Sequence, residues 1–385
     1  MFRFSRKRFS GSQTFLRPES GARKNGCSSH TTDVKSRCAL LLGLCLTSHA
    51  MKAQERQTFV EMDVSLQQDN QPSTLSGGRL SCKSALDVYT WIEGGIEGIS
   101  LDADDAGGRV NGGKAWAGFR RALPHTKLTL AATLGGRKLD PGRAAPVGIL
   151  ELAWTVSPVL LLSVDASRDV ALDSAPSYRA SVSVSSVALK ARYEGARSSA
   201  GAEVWGLFYG DGNAALSAAA WAEAVVWVRE AWTFAAGSSL AYRDARETRF
   251  RVATVTATAT PAADPNSGFA YDYRGVYDPY VTPERQLEGR VYARTTFANA
   301  PWKIELRGDW GGGRDRATGF GPSSGASPAP AVIESFGYAR SYRPGSVGLS
   351  AEWGRNSWRV RAKVSRALTA FYATTTYGLG VERRF

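Results

Sequence analysis

The chain has 385 residues and a formal net charge of +13, and hydrophobic residues make up 43% of it. After the N-terminal segment there is no run of about 18 apolar residues, which excludes a helical multispan membrane protein. Four cysteines in so long a chain exclude a disulfide scaffold. A soluble protein or a β-barrel remains. The mean hydropathy of −0.24 does not exclude a barrel, because lipid-facing and water-facing residues alternate along its strands and their hydropathies cancel in the mean.

Residues 1–50 have the pattern of a Sec signal peptide with an extended basic n-region. Lys35 and Arg37 precede the short apolar run of residues 38–47, and Ser48-His49-Ala50 resembles a cleavage site. We expect cleavage near Ala50, with a buried core helix as the alternative. The segment carries nine Lys/Arg residues and two acidic ones, so the mature chain keeps a charge of only about +6. Nucleic acid is therefore not an expected partner.

The rest of the chain is predicted to form strands. Residues 51–84 are expected to be a periplasmic lead-in that can include a first strand, and residues 85–385 an outer-membrane β-barrel. In residues 302–310, for example, Trp302, Ile304 and Leu306 alternate with charged residues, which is the period of a strand. Segments of about 9 to 12 residues with tryptophans near their ends suit tilted transmembrane strands better than a soluble sandwich.

The fold class predicted is all-β, a transmembrane antiparallel up-and-down barrel of about 16 strands, with 14 to 18 compatible with the pattern. Asn299-Ala300-Pro301 and Arg355-Asn356 are expected to be periplasmic turns, and residues 312–344 an external loop. The predicted strands are residues 57–66, 85–93, 95–104, 112–121, 126–135, 147–156, 158–166, 177–184, 187–195, 201–210, 213–227, 230–243, 247–258, 268–277, 285–297, 301–311, 345–354, 356–367 and 373–385.

Catalytic, cofactor-binding and metal-ligating residues are not expected, and the chain is not expected to be an enzyme. His125 is the one histidine after residue 50, and the turn sequence Leu123-Pro124-His125-Thr126 gives it no neighbouring serine. A hydrolase of the barrel type needs such a pair. Cys82 is the one cysteine after residue 50, and one cysteine with one histidine cannot form a zinc site.

Residues 268–311 and the C-terminal end resemble a known family. Tyr277-Asp278-Pro279 leads into an amphipathic strand, a short turn and a strand that ends in glycines, and the chain closes with residues 377–385. This is similar to the C-terminal barrel of outer-membrane exopolysaccharide-export proteins, which include cellulose synthase operon protein C and the poly-N-acetylglucosamine porin. Those proteins carry a helical-repeat scaffold ahead of the barrel, and no such repeat is visible here. If the chain is an export channel, the resemblance therefore implies a separate periplasmic scaffold protein; otherwise the chain is a barrel relative with another role.

The charged faces of the predicted strands are candidate lumen-lining surfaces. They carry Arg290, Arg294, Lys303, Glu305, Arg307, Asp309, Arg359, Arg361 and Lys363. Such rows either form cross-strand ion pairs that hold the wall, which is the favoured interpretation, or set the selectivity of a polar channel. Tyr271, Tyr273, Tyr277 and Tyr280 are candidate glycan-contacting residues, although a place in an interfacial aromatic girdle is favoured for them.

The C-terminal end resembles the assembly signal of bacterial outer-membrane barrels. Phe385 is the last residue, and Tyr377, Leu379 and Val381 share its face of a strand. Arg383 departs from the pattern, because the third residue from the end is usually apolar. The resemblance implies the barrel-assembly machinery as a partner.

Together these features predict an outer-membrane channel, a passive conduit for exopolysaccharide of the cellulose or poly-N-acetylglucosamine type, as in biofilm matrices. The alternatives are a structural or adhesion barrel with a plugged lumen, or a general porin. The expected partners are outer-membrane lipid, a polysaccharide and a separate periplasmic scaffold, and no cofactor is expected.

Overall fold

The computed structural model describes residues 57–69, 73–103, 109–140, 142–172, 175–249, 251–252, 276–277, 282–322, 333–369 and 373–385. The predicted signal peptide and its cleavage near Ala50 lie outside these residues, so they stay predictions.

The described part is almost entirely antiparallel strand. The strands are β1 (Thr58–Asp69), β2 (Ser73–Ala85), β3 (Thr90–Ala103), β4 (Val110–Leu123), β5 (Leu128–Asp140), β6 (Ala144–Ser157), β7 (Leu160–Val170), β8 (Ser183–Glu194), β9 (Ser198–Tyr209), β10 (Ala214–Arg229), β11 (Trp232–Ala245), β12 (Arg251–Val252), β13 (Val276–Tyr277), β14 (Arg285–Asn299), β15 (Trp302–Pro322), β16 (Ile333–Tyr342), β17 (Gly345–Arg355), β18 (Trp358–Leu368) and β19 (Ala373–Arg384). A short helix, α1 (Ala175–Ala180), precedes β8. Within the described ranges, no helix is long and apolar enough to cross a membrane.

The strands close into one barrel. Each wall strand pairs with the next along the chain, and β1 returns to β19 from the pair Phe59–Arg384 to the pair Asp69–Thr374. β16 and β17 both pair with β15 in one register, so they are a single wall strand interrupted at Pro344, which has no backbone N–H. The wall of the described part therefore has 16 strands, and the predicted all-β up-and-down barrel is confirmed. β12 and β13 pair separately.

The two ends of the barrel differ. At one end, here called the turn end, Thr58 and Phe385 lie beside short turns, which include residues 300–301 and 356–357. One of these turns is organised by Asp87, whose Oδ1 accepts the backbone N–H of Tyr89 at 2.7 Å and of Thr90 at 2.8 Å. These hydrogen bonds hold the pKa of Asp87 below its usual range. The opposite end, the loop end, carries the longer connections 171–182 and 246–284.

The two faces of the wall have opposite character. Residues directly opposite each other in neighbouring strands share a face, and the same alternation returns unbroken to β1 after a full circuit. Large apolar side chains on the outward face are exposed, for example Leu134 by 77%, Val291 by 61% and Leu189 by 60%. A soluble sandwich would bury such residues in its core, whereas a barrel in a bilayer presents them to lipid.

Near the N-terminus the strands differ from the prediction. The predicted strands 85–93 and 95–104 are one strand, β3, and β2 was not predicted. β3 pairs without interruption through Gly94 and Gly95 with both neighbouring strands, and the Trp116 indole covers Gly95. The outward face of β2 offers few large apolar residues, so its alternation is weak in the sequence. β1 and β2 are both wall strands, whereas residues 51–84 were expected to include at most a first strand.

Two further segments differ, and a third lies mostly outside the described residues. Residues 312–344 are largely strand, since β15 extends to Pro322 and β16 begins at Ile333. The stretch is rich in Gly, Ser and Pro, a composition typical of loops, and for that reason it was expected to be one. The predicted strand 177–184 begins as α1 and becomes strand only at Ser183. The predicted strands 247–258 and 268–277 lie mostly outside the described residues, and only the two-residue strands β12 and β13 are seen there.

Candidate functional site

The inward face of β10, β14 and β15 carries a network of ion pairs. Arg290 Nε lies 2.6 Å from a Glu288 oxygen, and its Nη1 lies 2.7 Å from Asp309 Oδ1. Arg294 contacts Glu305 at 3.5 Å and also donates to Glu223, which is two strands away on β10. Four of the predicted lumen-lining residues, Arg290, Arg294, Glu305 and Asp309, thus pair across the wall.

Arg307 makes a different contact. Its guanidinium lies 4.5 Å from the centre of the Tyr292 ring on the neighbouring strand, a cation–π contact. The Tyr292 hydroxyl in turn donates to the backbone oxygen of Ala222 at 3.0 Å. Tyr292 is 5% exposed, so this ring fixes the arginine close to the wall.

A second network crosses the seam where the barrel closes. Arg359 contacts Glu352 at 3.1 Å and Glu382 at 3.5 Å. Arg361 donates to Glu61 on β1, two strands away, and lies 3.7 Å from Asp63. These ion pairs tie the two chain ends together on the inward face.

The remaining predicted residues have different surroundings. Lys303 is exposed near the turn end, and Lys363 is half-buried on the inward face of β18. Tyr277 belongs to β13. Tyr271, Tyr273 and Tyr280 lie outside the described residues, so glycan contact by these tyrosines stays a prediction.

The sequence analysis missed the ion-pair cluster around Arg137, the most buried arginine among the ion pairs of the described residues. Arg137 on β5 is 1% exposed, and it contacts Asp169 at 2.8 Å and Glu97 at 3.2 Å. Lys114 also contacts Asp169, at 3.0 Å. A similar pair joins Lys190 to Asp165 at 2.7 Å. Strand alternation places each of these residues on the inward face, but it does not show which of them meet, because that depends on the register of several strands.

Long arginines reach over small residues in these networks. Arg294 reaches Glu223 across β11, where the inward residues opposite them are Ala235 and Gly237. Arg361 reaches Glu61 across β19, where Gly380 lies opposite it. The missing side chain on the middle strand leaves room for the guanidinium, so charge is neutralised between strands that are not neighbours.

Aromatic rings cover glycines on the inward face. Trp116 lies over Gly95, Trp221 over Gly201 and Tyr342 over Gly313, in each case directly across from the glycine. A Cβ on Gly95 would lie 2.5 Å from Trp116 Cζ2, and one on Gly201 would lie 2.6 Å from Trp221 Nε1. These rings therefore lie flat against the wall and fill the gap that the glycine leaves.

The connection 171–182 folds inward at the loop end. Leu172 and Tyr178 pack with Ile99, Leu101, Val110 and Leu139, which are inward residues of β3, β4 and β5. Ala171 and Val182 pack instead with Tyr209, Ala215 and Ala245 on β9 to β11. The segment with α1 is thereby anchored to two sides of the inner wall, and it narrows the barrel at this end.

The residues that resemble an assembly signal lie on the outward face at the seam. Tyr377 is 46% exposed, Leu379 48% and Phe385 53%. Val381 lies between them, directly opposite Met62 of β1. The guanidinium of Arg383 lies 4.8 Å from the ring centre of Trp358 and 4.5 Å from that of Phe385. An arginine is accommodated on this apolar face because the two rings hold its charge at the end of the strand.

The charges of the inward face are balanced. Carboxylates neutralise most of its arginines, so neither sign of charge dominates this face in the described strands. No group of three or more potential ligands that could hold a metal ion is found among the described residues. A wall of sixteen strands encloses more space than its own inward side chains fill.

Comparisons with known proteins give the fold. No protein-family model matches the chain, and no curated protein does. A solved structure described as a bacterial polysaccharide outer membrane secretin is similar, with a TM-score of 0.60 at 12% identity over 85% of this chain and 98% of that one. CdiB from Acinetobacter baumannii has a TM-score of 0.47 at 10% identity, over 86% of this chain and 61% of that one. OprD from Pseudomonas aeruginosa has a TM-score of 0.40 at 10% identity, over 86% and 95%. The chain thus has the fold of an outer-membrane β-barrel.

Proposed function

We propose that the protein is a channel of the bacterial outer membrane that lets an exopolysaccharide leave the cell passively. The observation that carries the proposal is the inward face, which is polar and ion-paired around a wall of 16 strands. A barrel of this width holds water unless a segment fills it. The polymer would be driven by its synthesis on the other side, and no residue of the channel would form a covalent bond.

The charge balance supports an uncharged polymer. Arg290, Arg294 and Arg137 are each paired with two carboxylates, so a polyanion would find few free cations along this wall. Neutral sugars need hydroxyl partners and ring faces, which paired charges and flat aromatic rings supply. A cellulose-like or poly-N-acetylglucosamine-like chain therefore suits the lumen, and the similarity to a polysaccharide secretin is in keeping with it.

The test is single-channel recording of the purified full-length protein in a planar bilayer. We expect ohmic conductance, a reversal potential near zero in a salt gradient, and blocking by cello-oligosaccharides at concentrations where oligouronates of the same length block less. Strong anion selectivity with preferential blocking by the oligouronates would contradict a neutral substrate. A complete lack of current, also after deletion of residues 323–332 and after replacement of residues 173–181 by a Gly-Ser linker, would exclude a channel.

One observation favours the alternative of a plugged barrel. The segment 171–182 lies inside the wall at the loop end, with Ser177 fully buried and Tyr178 3% exposed. If this segment closes the lumen, the wild-type protein conducts poorly, and a variant with residues 173–181 replaced by a short Gly-Ser linker conducts well. A channel that is open from the start shows little change in conductance upon this replacement.

A further inference from the structure

Four arginines form an exposed cluster on the outward face near the loop end. Arg285 lies on β14, Arg314 and Arg316 on β15, and Arg343 at the junction of β16 and β17. All four are exposed. Arg285 lies directly opposite Arg316, and Arg314 lies between Leu287 and Ser341. The four side chains thus occupy one patch on adjacent strands, here called the outer arginine patch.

The outer arginine patch has no anionic partner within the described part of the chain. Inward arginines nearby are paired, for example Arg340 with Asp315 at 3.2 Å. The four outward ones have no carboxylate within ion-pair distance among the described residues. Arg285 and Asp244 both contact the Tyr242 hydroxyl, which donates to Asp244 at 2.7 Å. Like charges directly opposite each other destabilise a sheet, so an anion bound at the patch would stabilise the wall.

The height of the patch indicates where that anion lies. The outward rings of Phe297 and Trp302 mark the turn-end edge of the apolar band, and Arg285 and Arg314 lie about 12 strand residues beyond them. At about 3.3 Å per residue and a tilt of about 40°, this is roughly 30 Å of height, against an apolar band of about 25 Å. Between them lie exposed Leu287, Val291 and Trp310. The patch thus lies just beyond the loop-end edge of the band, at the level of lipid headgroups.

We propose that the outer arginine patch binds the phosphate groups of lipid A in the outer leaflet. Guanidinium groups bind phosphate in a bidentate manner, and several of them close together match a headgroup that carries two phosphates. The inference rests on the proposed function for one point, that the loop end faces outward in an outer membrane. The bound lipid would neutralise the like charges and seal the wall at β14–β16.

The experiment titrates detergent-purified full-length protein with bis-phosphorylated lipid A, and binding is measured by native mass spectrometry. The test variant is R285Q/R314Q/R316Q. The matched control is R121Q/R229Q/R355Q, which removes three outward arginines near the turn end. We expect about tenfold weaker binding for the test variant and no change for the control. The wild-type protein should bind lipid A without phosphates about tenfold more weakly than bis-phosphorylated lipid A. This comparison does not depend on whether a variant folds.

Three results would overturn the inference. They are equal binding by the test variant and the wild type, equal binding of lipid A with and without phosphates, and displacement of bound lipid A by inorganic phosphate at millimolar concentration. Conductance is recorded on the same preparations. Lipid A binding without current would support the lipid A site and refute the proposed channel. Current without phosphate-dependent binding would support the channel and refute the lipid A site.

Discussion

The replacement of Arg137 by glutamine tests whether the inward ion pairs hold the wall. The side chain is 1% exposed and donates through Nε to Asp169 at 2.8 Å and through Nη1 to Glu97 at 3.2 Å. Glutamine removes the positive charge and leaves two facing carboxylates. Lys114, at 3.0 Å from Asp169, compensates for one of them in part.

The magnitude follows from the burial of the three groups. Breaking a buried ion pair costs about 3–5 kcal/mol, because a charge is left without a partner. The carboxylate side chains are 22% and 31% exposed, so water screens them and the lower end of that range applies. We expect the Arg137→Gln variant to lose about 2–3 kcal/mol in free energy of unfolding.

The assay is urea unfolding of the protein refolded into lipid vesicles, followed by tryptophan fluorescence. The control is Arg168→Gln, since Arg168 lies outward and, among the described residues, donates to the hydroxyls of Ser185 and Ser183, at 3.2 and 3.4 Å. It should change the free energy of unfolding by less than about 0.5 kcal/mol. A loss below about 1 kcal/mol for Arg137→Gln would refute the view that this cluster stabilises the wall.

Three further predictions follow from the packing. Gly95→Ala should lower the free energy of unfolding by about 1–3 kcal/mol, because the new Cβ would clash with the Trp116 indole. Gly98 has open space around it, so the control Gly98→Ala should change the free energy of unfolding little in the same urea titration. Tyr178→Ala should loosen the segment 171–182 and raise single-channel conductance; an unchanged current would show that this segment does not limit the lumen. Deletion of Phe385 should reduce the fraction of heat-modifiable, folded protein in membranes, and normal assembly would mean that this residue is not read as a signal.

The sequence predicted the wall well where one face of a strand is strongly apolar. In β15, Ile304 and Leu306 alternate with charged residues, so period and face were clear. It failed where the alternation is weak or the composition is that of a loop. β2 has few large apolar residues on its outward face, so its period was not visible. Residues 312–344 are rich in Gly, Ser and Pro, so the far half of β15 was expected to be part of a loop.

The connection before β8 shows a second kind of limit. Its apolar residues, such as Leu172 and Val182, are compatible with a strand when taken alone. They are buried against inward residues of β3–β5 and β9–β11, which are distant in the sequence. A local pattern of hydrophobicity cannot distinguish a strand in the wall from a segment packed inside it.

The sequence by itself determined that one face of each strand is apolar and the other polar, because the period of two is a local property of an extended backbone. That was enough for a barrel of about 16 strands. Only the tertiary structure decided which charges meet. Arg137 pairs with Asp169 and Arg294 with Glu223 across an intervening strand, and this depends on the register of three strands and on small residues such as Ala235 in the middle one. The same registers bring Arg285 and Arg316 together on the outward face, where no carboxylate of the described residues forms an ion pair with them.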